Sequence, residues 1–188
     1  MIDFEGTFED VPDRVSYVFQ TPRLLPHLTV EQNLLYAFED KVSLEKIQTI
    51  LKKCFLWECK DRKVRLLSGG EKKRVSLARA FLSDAELLLM DEPFNSVDTA
   101  LKLRLISLFA KLWQEEKKTV VFVTHDLEEA LMLADRIVVL KRGGKMKEFT
   151  LSKQGFPAEY GAPNQTRSQI LSELLEENGE EGARICAD

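Results

Sequence analysis

The tetrapeptide Ser-Gly-Gly-Glu at positions 68–71 combines residue types that suit phosphate binding. Ser68 and Glu71 have the spacing of a capping box, so a helix should begin directly after Ser68. Gly69 and Gly70 leave backbone N–H groups uncovered at the helix end where the dipole is positive. Such an end binds phosphate readily. An ordinary capped helix after a glycine turn would explain the same residues equally well.

Two carboxylates, Asp91 and Glu92, close a short apolar run over 87–90. A continuous run of this length is typical of a strand covered on both faces by helices, and Pro93 should end it. A carboxylate at the carboxyl edge of a parallel strand can hold Mg²⁺, which takes few protein oxygens together with waters and phosphate oxygens. A buried core strand with an acidic end is the alternative interpretation.

Gln20 and His125 also stand at the ends of predicted strands. Gln20 follows the alternating pattern of Val15, Tyr17 and Phe19, and His125 follows the apolar run 119–124. Taken one at a time, Gln20 reads as a polar strand terminus and His125 as a structural histidine.

Helices with clear start signals should separate these strands. Each signal is a capping side chain followed by an apolar stripe of helical spacing. The caps are Thr29 with Gln32, Ser43, Ser68 with Glu71, Asp98, Asp126 with Glu129, and Thr166 with Gln169. The apolar residues of these stripes are predicted to face the core. They are Leu34, Leu35, Phe38, Leu44, Ile47, Ile50, Leu51, Val75, Ala78, Leu82, Leu101, Leu105, Leu108, Leu112, Ile170, Leu171, Leu174 and Leu175. The basic residues 72–74 should lie off the buried face.

Two further patterns predict strands at the two ends of this region. Ile2 and Phe4 begin a strand–turn–strand pattern over 2–20, and 137–140 with 145–149 should form a hairpin across Gly143-Gly144. Gly155, Pro157, Gly161 and Pro163 then mark a linker, and the acidic end of the chain should fray.

The composition is ordinary for a soluble globular domain. The 188 residues are 44% hydrophobic and 31% charged, and the net charge of −4 gives no electrostatic argument for nucleic acid. No apolar run approaches the roughly 18 residues of a membrane span, and the N-terminal residues are not those of a signal peptide. Cys54, Cys59 and Cys186 lack metal-site spacing and are interpreted as reduced thiols of a cytosolic protein.

Taken together, LSGGEKKRVSLARA and LLLMDEP resemble the signature motif and the Walker B strand of ABC-type ATPases, the nucleotide-binding subunits of ATP-driven transporters. Gln20 resembles the Q-loop, residues 95–98 resemble the D-loop, and His125 resembles the switch histidine. The five motifs occur in the family's order, and the resemblance runs from about residue 2 to about residue 149.

The resemblance implies an α/β fold, an ABC-type nucleotide-binding domain of P-loop NTPase architecture. We expect a mostly parallel sheet covered by helices, with a helical subdomain. A partial ATPase domain should span 1–149, with the helical subdomain at about 21–85, and a linker, short helix and acidic tail should span 150–188. The domain is expected to be incomplete, because the chain has no G-x-x-x-x-G-K-[ST] loop. Without the helix that follows this loop in the family, apolar faces of the sheet should be exposed.

The resemblance also implies ATP and Mg²⁺ as cofactors, with a role for each motif. Glu92 would polarise a water for attack on the γ-phosphate, and His125 would contact that phosphate. Asp91 and Gln20 would reach the metal ion. The residues implied to contact the nucleotide are Gln20, Ser68, Gly69, Gly70, Glu71 and Asp98.

The implied partners are membrane-spanning permease subunits, a second ATPase subunit in a homo- or heterodimer, and indirectly a solute-binding protein. The implied location is cytoplasmic, on the inner face of the plasma membrane. The segments LPHLTVEQNL and THDLEEALMLADRIVVL look most like importers of the nitrate, sulfonate and taurine group.

Two alternatives to an active importer subunit stay open. One is a non-catalytic subunit or gene fragment that donates only its signature motif to a partner's ATP site. The other is a superfamily ATPase that acts on DNA, which the acidic charge and the short stretch between Gln20 and Ser68 disfavour. Because the phosphate loop is absent, the chain alone should bind ATP weakly or not at all.

Overall fold

The computed structural model describes residues 12–38, 42–141, 145–152, 155–163, 165–177 and 184–187. Its strands are β1 (Val15–Val18), β2 (Leu87–Asp91), β3 (Thr119–Thr124), β4 (Arg136–Leu140), β5 (Met146–Thr150) and β6 (Arg184–Ala187). Its α-helices are α1 (Val30–Tyr36), α2 (Leu44–Lys53), α3 (Gly69–Leu82), α4 (Thr99–Glu116), α5 (Leu127–Leu133) and α6 (Gln165–Glu177). Two short 3₁₀ turns, Trp57–Cys59 and Val64–Leu66, lie between α2 and α3.

The strands form one six-stranded sheet in the order β1-β2-β3-β6-β4-β5. β1, β2 and β3 pair in parallel, and α4 and α5 connect β2 to β3 and β3 to β4. β6 runs antiparallel to both β3 and β4, so β4 has the same direction as the first three strands. The predicted α/β fold with a mostly parallel sheet is therefore confirmed in the sense that four of the six strands share one direction, while β5 and β6 run opposite to them.

Most helices begin at the predicted capping residues. Thr29 and Ser68 both make reciprocal capping boxes, and Ser43 and Asp98 accept from the backbone of α2 and α4. The cap of α5 differs. Asp126 accepts from the N–H groups of residues 128 and 129, but the Glu129 carboxylate bonds Thr124 instead of reaching back.

The cap predicted at Thr166 is wrong, because α6 already begins at Gln165 and Thr166 lies inside the helix. The predicted inner face of α6 is also only half right. Ile170 is fully buried and Leu174 packs on the core, whereas Leu171 and Leu175 are 40% and 66% exposed. This helix therefore buries a narrow stripe, and the neighbouring leucines face solvent.

The core lies between the sheet and the helices that follow β1 and β2. Phe94, which is fully buried just after β2, meets Phe109 of α4 edge-on, and Phe81 of α3 meets the same ring. The apolar stripes of α3 and α4 are buried as predicted, with Leu101 partly so. Leu44, predicted inward, is 61% exposed because it is the first residue of α2 and lies one turn before the buried residues Ile47, Ile50 and Leu51.

Around β1 and β2, the described residues cover one face of the sheet better than the other. Leu88 and Met90 are buried, but the alternate residues Leu87 and Leu89 are only half-buried. Val15, the register partner of Leu87, is 43% exposed. The prediction that β2 is covered on both faces is therefore wrong, whereas the expected exposure of an apolar sheet face agrees with the structure.

Between β1 and α3 the chain forms a helical region. Asn33, buried in α1, accepts from the Leu25 backbone N–H and donates to the Leu25 and Thr29 carbonyl oxygens. These bonds fix the loop that follows Gln20. The domain and subdomain boundaries given above remain predictions.

After β5, the segment 155–163 packs against the core. Phe156 stacks on Trp113 of α4 with ring centroids 4.6 Å apart, and the Ala158 N–H donates to the Met132 carbonyl. The predictions for Ile2, Phe4, Gly143-Gly144 and residues 178–181 of the acidic end lie outside the described residues, and the first two residues of that acidic end, Glu176 and Glu177, belong to α6. The strand β6 that follows them was not predicted.

Cys54 and Cys59 are free and buried. Burial raises the pKa of Cys54 to about 12, so this thiol stays protonated at neutral pH. Within the described residues, each helix falls short of the length or the apolar character that a membrane-spanning segment needs.

Candidate active site

Three predicted site residues emerge from three neighbouring strands. Gln20 lies two residues after β1, Glu92 directly follows β2, and His125 directly follows β3. Because these strands are adjacent and parallel, their carboxyl ends lie at one edge of the sheet. The sheet topology therefore brings together side chains that are far apart in the sequence.

The side chains of Gln20 and His125 both contact the carboxylate of Glu92. Gln20 Nε2 donates to Glu92 Oε2 at 2.8 Å, and His125 Nδ1 lies 3.2 Å from Glu92 Oε1. Asn95 Nδ2 also donates to Glu92 Oε2, at 2.6 Å. The Glu92 side chain is 18% exposed and His125 is 55% exposed, so the cluster opens to solvent on the histidine side.

Glu92 adopts a backbone conformation that is uncommon for a residue with a side chain. Its φ is 42°, and its N–H donates to the Val123 carbonyl at 2.9 Å. Positive φ at a non-glycine residue costs free energy and is found disproportionately at functional sites. Asp91, one residue earlier, ends β2 on the face of Leu87 and Leu89, so the two acids have separate environments.

Residues 68–71 form the predicted capped helix end. The Ser68 N–H donates to Glu71 Oε2 at 2.7 Å, the Glu71 N–H donates to Ser68 Oγ at 3.2 Å, and Arg62 Nη1 lies 3.2 Å from Glu71 Oε1. The bond from the Ser68 backbone is the main reason why the pKa of Glu71 is lowered. The charged capping box is thus stable at neutral pH.

The two glycines of this helix end have different surroundings. A Cβ at Gly70 would lie 2.8 Å from Leu101 Cδ2, so this glycine allows α3 to approach α4 closely. A Cβ at Gly69 would meet nothing within 4 Å. The backbone at Gly69 is therefore accessible to a ligand.

Lys73 connects this helix to the Glu92 segment. Its Nζ donates to the Pro93 carbonyl at 2.9 Å, and the residue is only 8% exposed. Burial lowers the pKa of Lys73, although the charges of Glu129 and Glu92 oppose that effect. The prediction that residues 72–74 all lie off the buried face is wrong for Lys73, because its ammonium group donates a hydrogen bond to the carbonyl of Pro93, twenty positions later.

Asp98 and two residues outside the predicted set complete the surroundings. Asp98 caps α4 by accepting from the Leu101 N–H at 3.0 Å. Asn95 belongs to the D-loop match, but its bond to Glu92 was not predicted. Lys102, in the first turn of α4, lies 2.5 Å from Asp126 Oδ2 and 2.8 Å from Glu129 Oε1. In the sequence, the only indication that Lys102 lies near the site was its position one helical turn after Asp98.

Sequence comparison finds relatives among transporter proteins. Residues 3–95 match the family described as "ABC transporter". The aliphatic sulfonates import ATP-binding protein SsuB of Granulibacter bethesdensis is 43% identical over 142 residues, which are 76% of this chain and 60% of that protein. SsuB 1 of Pseudomonas savastanoi pv. phaseolicola is 35% identical over 172 residues, covering 92% of this chain and 70% of that protein. The chain spans about 60 to 70% of the length of these curated relatives.

Solved structures agree on the fold. A metal-chelate type ABC transporter in an inward-facing conformation superposes with a TM-score of 0.64 at 24% identity, over 73% of this chain and 58% of that one. The cbiO1 protein of Clostridium perfringens, part of the ABC transporter complex cbiONQ, gives a TM-score of 0.59 at 25% identity, over 65% of this chain and 51% of that one. Because the SsuB relatives are 35 to 43% identical to this chain, the chain belongs to the family of ABC transporter ATP-binding proteins.

Proposed function

We propose that this chain is an ATP-binding subunit of an importer that couples ATP hydrolysis to solute uptake. One observation carries the proposal: Gln20 and His125, which follow β1 and β3, both contact the carboxylate of Glu92, which follows β2. A carboxylate held from two sides at the edge of a parallel sheet suits proton transfer from an attacking water.

In this proposal Glu92 is the base and His125 contacts the γ-phosphate. The bonds from Gln20 and Asn95 both reach Glu92 Oε2, whereas Oε1 faces His125. His125 is more than half exposed, so its ring can reach a ligand on the open side of the cluster. Orientation of the carboxylate by amide donors favours one geometry for the attacking water.

The residues present fit a magnesium ion that is held mainly by the nucleotide. The described residues contain no group of three or more His, Cys, Asp or Glu side chains that could hold a metal. Asp91 offers a carboxylate, and Gln20 offers its amide oxygen because its Nε2 is bonded to Glu92. One or two protein oxygens completed by phosphate oxygens and waters are typical of Mg²⁺. When bound, the ion neutralises negative charge on the phosphates.

The capped start of α3 is proposed to contact the terminal phosphate of a nucleotide. Ser68 and the open backbone at Gly69 supply donors at the positive end of a helix of 14 residues. Glu71 and Asp98 support this surface through their caps on α3 and α4. In the family such sites are shared between two subunits, so a second ATPase subunit is the proposed partner at this surface.

The proposed transport system follows from the named relatives. SsuB proteins are aliphatic sulfonates import ATP-binding proteins, and cbiO1 is part of an ABC transporter complex. We therefore propose an aliphatic sulfonate, or a solute of similar chemistry, as the imported compound. Permease subunits would be direct partners and a solute-binding protein an indirect one, and the chain would then lie peripherally on the inner membrane face.

Uptake and ATP turnover in reconstituted vesicles test this function. The gene product that carries these 188 residues would be combined with its permease and with the solute-binding protein of an aliphatic sulfonate importer. We expect ATP-dependent uptake of an alkanesulfonate, and about a 100-fold lower turnover for Glu92→Gln because proton transfer is lost.

Glu86→Gln is the matched control for this substitution. Glu86 lies just before β2, at the opposite end of the same strand, in an exposed ion pair with Arg14. ATP turnover by the Glu86→Gln variant should equal that of the unmodified chain. Uptake that continues unchanged with Glu92→Gln would contradict the proposal.

A further inference from the structure

The loop that carries His125 is held by bonds on both of its sides. On the β3 side, Thr124 Oγ1 donates to Glu129 Oε2 at 2.7 Å and accepts from the Asp126 N–H at 3.0 Å. On the α5 side, Asp126 Oδ1 accepts from the Glu128 N–H. The residues before and after His125 are therefore bonded to each other and to the start of α5.

Lys102 of α4 joins both sides of this loop. Its Nζ lies 2.5 Å from Asp126 Oδ2 and 2.8 Å from Glu129 Oε1. The Lys102 side chain is 17% exposed and that of Glu129 only 2%, so these contacts lie largely out of water. Charge-assisted bonds in such surroundings are stronger than exposed ion pairs.

The charges around Lys102 keep it protonated. Partial burial alone would lower the pKa of Lys102, but the bonds and charges of Asp126 and Glu129 raise it overall. For Asp126, burial opposes ionisation, yet the bond and charge of Lys102 lower its pKa. The Lys102 ammonium group thus lies between the carboxylates of Asp126 and Glu129. On the other side of His125, the neighbouring acidic side chain is Glu92.

Lys102 is itself fixed relative to the Glu92 segment. It lies in the first turn of α4, which Asp98 caps and whose Leu101 packs directly on Gly70 of α3. The same α3 holds the Pro93 carbonyl through Lys73. The His125 loop and the Glu92 segment are therefore both attached to the α3–α4 pair.

We propose that Lys102 is a positioning residue that holds His125 against Glu92 by tethering Asp126 and Glu129 to α4. The catalytic meaning of this contact rests on the proposed function, whereas the tether itself does not. The competing account is that Lys102 only neutralises the buried charge of Glu129, with no effect on where His125 lies.

Histidine NMR of the full 188-residue chain separates these accounts. The chain has two histidines, and His27 is exposed in a loop before α1, so its ring signal is an internal control. In Lys102→Met the His125 signal should move toward the position of the His27 signal, while His27 stays unchanged. Lys102→Arg should restore the original position, because arginine keeps the charge and the reach.

Lys111→Met is the matched control. It makes the same substitution on the exposed side of the same helix, away from residues 124–129. The His125 signal of this variant should not move. An unchanged His125 signal in a folded Lys102→Met chain would overturn the proposal.

The double variant Lys102→Met with Glu129→Gln makes the test decisive even if Lys102→Met alone does not fold. It removes the lysine together with the buried negative charge that would be left unpaired. If Lys102 is a tether, His125 stays displaced in the folded double variant. If the His125 signal returns to its original position, Lys102 is only a neutralising charge and the proposal fails.

Measurements of ATP turnover test whether the positioning of His125 by Lys102 affects catalysis. In the reconstituted transporter, Lys102→Met should lower ATP turnover by about 10- to 100-fold, since small misplacements of a reacting group have effects of this size. Lys102→Arg should recover most of it. If Glu92→Gln leaves turnover unchanged, the proposed function fails, and the NMR comparison still decides whether Lys102 positions His125.

Discussion

At the scale of single residues, the site depends on polar side chains that bond one another in pairs. Glu92 has amide donors on one oxygen and His125 beside the other, and its backbone adopts a φ of 42°. Glu71 caps the helix that begins after Ser68. Each of these groups is oriented before any ligand arrives, and such pre-organisation lowers the free-energy cost of binding.

Removal of the Glu71 side chain should weaken the start of α3. Glu71→Ala deletes its half of the capping box and the ion pair with Arg62, and we expect about 1 kcal/mol less free energy of unfolding. Denaturant unfolding followed by circular dichroism measures the change. Glu58→Ala, at an exposed acidic residue of a 3₁₀ turn, should have little effect. Equal losses in the two variants would contradict the assigned cap.

The charge on Glu71 gives this cap a pH dependence. Because the folded-state pKa of Glu71 is lowered, its charge stabilises the chain above the unfolded pKa of about 4.3. This contribution is lost as the pH falls through the lower folded-state pKa. Glu71→Gln keeps a bond to the Ser68 N–H but removes the charge, so its deficit relative to the unmodified chain should disappear in acid.

At the scale of elements, the site depends on how closely α3 and α4 pack. Gly70 lies against Leu101, and Lys73 reaches from the next turn of α3 to the Pro93 carbonyl. Phe94 and Phe109 fill the space between the end of β2 and α4. The position of the Glu92 segment is thus fixed by two helices as well as by its own strand.

Alanine at the two glycines of α3 should have different effects. Gly69→Ala adds a methyl group to open space and should be neutral or stabilising, because alanine loses less backbone entropy on folding. Gly70→Ala would place its Cβ 2.8 Å from Leu101 Cδ2, so Leu101 must move. We expect Gly70→Ala to be about 1 kcal/mol less stable than Gly69→Ala in thermal or denaturant unfolding. Equal stabilities would show that the Leu101 side chain moves aside without cost.

At the scale of the whole molecule, β6 completes the sheet. β3 and β4 are consecutive strands with a common direction, yet they pair with β6 between them. The register places Cys186 opposite Val123 on one side and Val138 on the other. The end of the chain therefore supports the same β3 residues that lead into His125.

A cysteine cross-link tests this register. In Val138→Cys the new residue is the register partner of Cys186, so mild oxidation should join the two cysteines within one chain. In Val139→Cys the partner is Ile185, and no such disulfide should form. Mass spectrometry of proteolytic fragments identifies the product, and the buried Cys54 and Cys59 should stay reduced. A cross-link that forms equally at both positions would contradict the assigned place of β6.

Sequence patterns by themselves determined the caps of α1 to α5, the strand ends that carry Gln20, Glu92 and His125, and the family. These signals are local, because a cap acts over three or four residues and a strand pattern over five or six. The tertiary structure alone decided that Asn95 bonds Glu92, that Lys73 and Lys102 turn inward, that one sheet face stays half-open, and that β6 fills the middle of the sheet. Such contacts join segments that are distant along the chain, and their free energy depends on the packing of the complete sheet and helices.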